Sequence, residues 1–151
     1  MDKKNKIKKD KEGNKNNPQN KTKNPNNSKI NIVTDWFYMT PSEINAKSIA
    51  QLIESQCNIP VDLWEEMNIL QIELSNKETV DFEPMGIEFK DPSDIAFINN
   101  RNIKTIFAVY IASGTLEDEL KSILKVMFNQ WNGFLCADSQ DFKPIFSLSD
   151  I

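Results

Sequence analysis

The sequence predicts an α+β domain, with an α/β arrangement as the alternative: a mixed sheet of five to six strands, two long helices and one short helix. Three observations lead there. Stretches of period-two alternation recur between stretches of helical periodicity. One run, Ile106–Ala112, is apolar on both faces, as a strand covered from both sides must be. Prolines and capping residues stand at the junctions between these stretches.

The first element is "INIVTDWFYM", residues 30–39, whose alternation predicts a strand. "TPSE" follows, with Thr40 as cap, Pro41 in the first turn and Glu43 completing a capping box. The predicted helix runs to Cys57 with Ile44, Ile49, Leu52 and Ile53 on one face, and Pro60 ends it. Cys57 reads as a small core residue rather than a reactive thiol. A hairpin is expected next, from Leu70, Ile72 and Leu74 to Val80 and Phe82. Pairing Leu74 with Val80 puts Glu73 opposite Asp81 and Gln71 opposite Glu83, and like charges across a pair repel.

"DPSDIAFINN" predicts a short helix capped by Asp91, with Ile95 and Ile98 facing inward. "IKTIFAVYIA" is the predicted central strand. A second long helix follows, capped by Thr115, with Leu116, Leu120, Ile123, Leu124, Met127 and Trp131 as its apolar stripe and Asn132-Gly133 closing it. The strand–helix–strand unit from Ile103 to Ala137 is compatible with a parallel crossover. "GFLCA" predicts a further strand, "DSQD" a turn, and "FKPIF" an edge strand, because Pro144 cannot donate to a ladder.

Composition narrows the function. A chain of 151 residues suits one folded domain with one core. No apolar run approaches the roughly 20 residues of a membrane span. No apolar segment follows the basic start, so no secretory leader is predicted. Two cysteines are too few for a disulfide framework, and a cytoplasmic protein with reduced thiols is expected. There is no histidine. That absence removes the usual general base near neutral pH and every Ser-His-Asp or Cys-His arrangement within the chain. A structural zinc site lacks ligands, and neither a metal nor a cofactor is expected. No GxGxxG, Walker or HExxH motif occurs. Cys136, beside Asp138, Ser139 and Asp141, has no base to activate it, so "NGFLCADSQDFKPIF" reads as structure rather than chemistry.

Charge divides the chain. Residues 1–29 carry ten lysines against Asp2, Asp10 and Glu12, about +7, with no aromatic residue, and are expected to form a disordered tail. Through its lysines that tail is a possible contact for nucleic acid or an anionic membrane, against a plain solubilising role. Residues 30–151, the expected folded domain, hold eight basic and nineteen acidic residues, a net of −11. The first functional expectation is therefore a non-catalytic protein-binding module with an acidic surface, of the immunity- or antitoxin-type, inhibiting a basic protein partner. Its candidate partner-binding residues are Glu73, Asp81, Glu83, Glu65, Glu66, Asp138 and Asp141. The alternative is a small carboxylate-based, metal-dependent enzyme or ligand sensor, which requires the same carboxylates to converge.

Overall fold

A computed structural model of the protein describes residues 35–151. The predicted tail and the first five residues of the predicted first strand lie outside the described residues. The elements in chain order are β1 (Asp35–Thr40), α1 (Ala46–Gln56), β2 (Val61–Trp64), a 3-10 turn (Glu65–Met67), β3 (Ile69–Glu73) and β4 (Thr79–Met85). Then come α2 (Pro92–Asn100), β5 (Thr105–Ile111), α3 (Asp118–Trp131), β6 (Phe134–Ala137), β7 (Ile145–Phe146) and a closing 3-10 turn (Leu148–Asp150).

The strands form one seven-stranded sheet in the order β2-β3-β4-β5-β1-β6-β7. Every neighbouring pair is antiparallel, so the sheet is larger than expected and is not mixed in its pairing. The strand–helix–strand unit does connect strands of the same direction. However, β5 and β6 lie on opposite sides of β1, each paired antiparallel to it.

The unexpected strand is β2. Val61 and Leu63 point toward the core while Asp62 and Trp64 point outward. An outward tryptophan in a four-residue strand breaks the apolar/polar alternation that marks strands in sequence.

The two long helices share one face of the sheet. Ile49 and Ile53 of α1, and Leu120, Ile123, Leu124, Met127 and Phe128 of α3, pack against Trp36, Tyr38, Leu70, Ile72, Val80, Phe82, Phe107, Val109 and Leu135. The opposite face carries a smaller core. Phe37, Met39, Ile106, Ala108 and Cys136 meet Ile98 of α2, Ile103 and Phe142 there. The Phe97 and Phe142 rings lie with centroids 4.5 Å apart and tilted by 36°, and the Arg101 guanidinium lies 3.7 Å above the Phe97 ring.

Both long helices start later than expected. Asn45, not Thr40, caps α1 by accepting from the Ser48 amide at 2.8 Å. The Thr40 hydroxyl is already engaged, donating to the Trp131 carbonyl at 2.6 Å and accepting from Ser42 N–H at 3.1 Å. For α3 the cap is Glu117 rather than Thr115, whose amide donates to the Ser113 hydroxyl at 3.1 Å. The short helix is capped by Asp91 as expected; Ile98 is buried, but Ile95 is 40% exposed.

The hairpin register differs by two residues from the expected one. Ile72 faces Val80 and Leu70 faces Phe82, which places Gln71 opposite Asp81 and Glu73 opposite Thr79. The turn sets this. Leu74 pairs with Glu78 (N–H to carbonyl, 2.8 Å), and Lys77 takes a left-handed conformation with φ 75°, giving a three-residue loop. The expected Glu73–Asp81 confrontation is thereby avoided, and Gln71 Nε2 donates to Asp81 Oδ1 at 2.7 Å.

Candidate functional site

Side chains on adjacent residues of a strand point to opposite faces. Leu70, Ile72, Val80, Phe82, Val109, Ile111 and Trp36 face the two long helices, so Gln71, Asp81, Tyr110 and Asp35 face the other way. On that side the one helix among the described residues is α2, nine residues long, or about 13 Å at 1.5 Å per residue and roughly 10 Å across, with Ile103 and Phe142 from connections beside it. Seven strands at about 4.8 Å spacing make a sheet roughly 29 Å wide. One short helix cannot cover it. It covers the part around Ile106, Met39 and Cys136, with Met85 at the end of β4 packed alongside, and leaves β2, β3, the start of β4 and Tyr110 outside that core.

The register aligns a lateral row across that uncovered end. Asp62 pairs with Gln71, Gln71 with Asp81, Asp81 with Tyr110, and Tyr110 with Asp35. Asp138 follows β6 directly, and its amide donates to the Asp35 carbonyl at 3.2 Å, extending the row to a sixth strand position. Beside it lies a shallow depression of about 240 Å³ lined by Trp64, Met67, Ile69, Gln71, Asp81 and Glu83. Trp64 is 47% exposed, Met67 62% and Tyr110 40%. Tyr110 stands out because every other residue of β5 from Ile106 to Ile111 is buried. Its phenol is pushed above its ordinary value by desolvation, then by the negative charges of Glu83, Asp35 and Asp138. Those three carboxylates thus act on one aromatic side chain.

None of the eight basic residues of the expected domain sits in a strand. Lys47, Lys121 and Lys125 are on α1 and α3; Lys77, Lys90, Arg101, Lys104 and Lys143 are in turns and connections. Among the described residues the single ion pair is Lys47 with Glu65, at 3.5 Å and well exposed on both sides.

The seven expected site residues separate accordingly. Asp81, Glu83 and Asp138 come together around Tyr110. Glu65 and Glu66 form the 3-10 turn between Trp64 and Met67, at the margin of the depression, with Glu65 held by Lys47. Glu73 ends β3 opposite Thr79, at the hairpin turn. Asp141 is apart from them. It serves the β6–β7 connection, accepting from Lys143 N–H at 3.1 Å and from the Ser139 hydroxyl at 3.4 Å. Asp35, Asp62, Trp64 and Tyr110 are the members that the sequence reading did not single out.

Chemistry elsewhere is sparse. Cys136 is fully buried in the smaller core, and burial pushes its thiol up to about 12. Cys57 is half-buried, and desolvation raises its thiol too. It lines a broader cleft of about 630 Å³ with Glu73, Lys77 and Glu119. There Glu119 is occupied as an acceptor for the Ser75 amide and hydroxyl, at 2.8 and 2.9 Å. Among the described residues no three carboxylates or thiols are placed to hold a metal ion. No helix among them is long and apolar enough to cross a membrane. Comparison with protein-family models, with curated proteins and with solved structures finds no match for this chain.

Proposed function

We propose that the protein is a non-catalytic binding module whose uncovered sheet end engages a basic protein surface. The observation that carries this reading is the lateral row of Asp62, Asp81, Asp35 and Asp138 around Gln71 and Tyr110, bordered by Trp64 and Met67. A sheet holds such a row rigidly at intervals of about 5–10 Å, so little ordering entropy is lost when a cationic partner docks. Exposed Trp64 and Tyr110 supply the aromatic anchors that concentrate binding energy in protein interfaces. The carboxylates around them speed encounter and exclude acidic competitors. An immunity- or antitoxin-type inhibitor is the concrete form: clustered carboxylates can occupy a cationic cleft that otherwise holds phosphates.

The test is affinity capture on the full chain, beside a variant carrying Asp81→Asn, Glu83→Gln and Asp138→Asn. The reading expects a basic protein retained by the wild type at low salt and lost by the variant. It also expects carboxylate–lysine cross-links that map to the row. Equal retention by both chains, or cross-links that map to α1 and α3, overturns it.

A further inference from the structure

We infer that Tyr110 is the seat for a single arginine side chain of the partner, and that the uncovered face prefers guanidinium to ammonium. This rests on the binding reading above and adds the chemistry of the anchoring group.

Tyr110 occupies the middle of the row, with Asp81 on one neighbouring strand and Asp35 on the other. Tyr110 is 40% exposed on a strand otherwise buried from Ile106 onward. Glu83 and Asp138 also bear on its phenol. A flat cation lying on that ring meets carboxylates at its edges. Guanidinium fits this arrangement because it is planar, stacks on aromatic faces and donates in a fork to a carboxylate. An ammonium is compact and strongly hydrated, and gains less from the ring. The protein already uses this pairing on the same side of the sheet, where Arg101 lies 3.7 Å over Phe97. That pair is intramolecular and closes the covered end. Among the described residues no cation is placed over Tyr110, and none of their basic residues stands in a strand. Charge complementarity therefore names the occupant: an arginine presented by a cationic protein segment, with its apolar neighbours directed to Trp64, Met67 and Ile69.

The experiment titrates the full chain with hexa-arginine and, separately, hexalysine at low salt, following the tyrosine ring resonances and calorimetry. The wild type is expected to bind hexa-arginine about two- to fivefold more tightly, the range of an exposed cation–π contact. Tyr110→Phe keeps the ring and should keep the preference. Tyr110→Ala should remove it while leaving the salt-dependent binding common to both peptides. Thermal melting confirms that each variant is folded, and the Phe variant decides the matter if the Ala variant is not. Equal affinities in the wild type overturn the arginine inference. If both peptides are then weakened alike by Glu83→Gln with Asp138→Asn, the acidic-face reading survives that result. A preference untouched by Tyr110→Ala, or lost in Tyr110→Phe, overturns the placement at the ring. Absence of binding by either peptide at low salt overturns both readings together.

Discussion

Gly133 offers the sharpest test of how the larger core is packed. It follows Asn132, which closes α3 in the left-handed region at φ 54° and donates its amide to the Phe128 carbonyl at 2.8 Å. Gly133 itself does not adopt a positive φ, so the backbone alone does not demand glycine there. Space does. A methyl group at this position would stand 2.5 Å from Tyr38 Oη and 2.7 Å from Cε1 and Cζ. Favourable carbon contacts begin near 3.5 Å, so the shortfall is about 0.8–1 Å against three atoms at once. The ring cannot retreat. Tyr38 is fully buried, its ring lies parallel to Phe128 with centroids 6.0 Å apart, and its hydroxyl points to the Met127 carbonyl at 3.5 Å. Gly133→Ala is therefore expected to cost about 1–3 kcal/mol by overpacking. For a domain of this size that is a fall of roughly 5–15 °C in melting temperature. Thermal melting of the full chain by circular dichroism reads it. Repeating the substitution in a Tyr38→Leu background should remove most of the added cost, because the obstructing ring is gone. A Gly133→Ala chain melting within about 1 °C of wild type refutes the close approach, as does an undiminished cost in the Tyr38→Leu background.

Two further outcomes test the open face itself. Gln71→Glu removes the 2.7 Å bond to Asp81 and sets two carboxylates face to face. A loss of about 1–2 kcal/mol is expected, smaller at high salt and recovered by Asp81→Asn, as read from urea unfolding. Recovery by Glu83→Gln instead would restore the hairpin register that the structure replaces. Alkaline spectrophotometric titration checks the charge around Tyr110. The chain has two tyrosines; burial raises Tyr38 far above 10.0, so Tyr110 ionises first, above 10.0, and Glu83→Gln should lower its midpoint. Both phenols hold their protons more tightly folded than unfolded. Stability should therefore fall as pH rises above about 9 through the buried Cys136 thiol, raised from 9.0 to about 12, and above 10 through Tyr38 as well. An unchanged Tyr110 midpoint in the Glu83→Gln chain contradicts the placement of that carboxylate.

Local periodicity carried most of the elements and few of their ends. The stripe of α3 and the alternation of β3, β4 and β5 are properties of neighbouring residues, and they are legible as such. The helix starts are not, because capping is a competition. Thr40 has a capping box in sequence, yet its hydroxyl is better placed on the Trp131 carbonyl, 91 residues away. Asn45 then caps α1 from a position with no box to announce it. The hairpin register turned on one backbone conformation, the left-handed Lys77, which lysine seldom adopts and which nothing in "SNKET" advertises.

The candidate face was legible by residue type and hidden by arrangement, for a physical reason. Acidic side chains at the alternate positions Asp81 and Glu83 of β4 mark an outward face, and that much follows from those two alone. Membership of the row is decided laterally, by which strands become neighbours, and its members are drawn from residue 35 to residue 138. Asp35 enters only because β1 inserts between β5 and β6, and Asp62 only because β2 exists at all. Tyr110 looks like core in sequence because its strand is core. It is 40% exposed because the smaller core on its face, built around Ile98, Ile103 and Phe142, does not include it. A seven-stranded antiparallel sheet with two long helices on one side and one short helix on the other must leave ladder surface uncovered. What this chain sets there, carboxylates around two large aromatic rings with the basic side chains of the described residues kept to helices and turns, is what makes that surface a candidate for recognition rather than a gap in the packing.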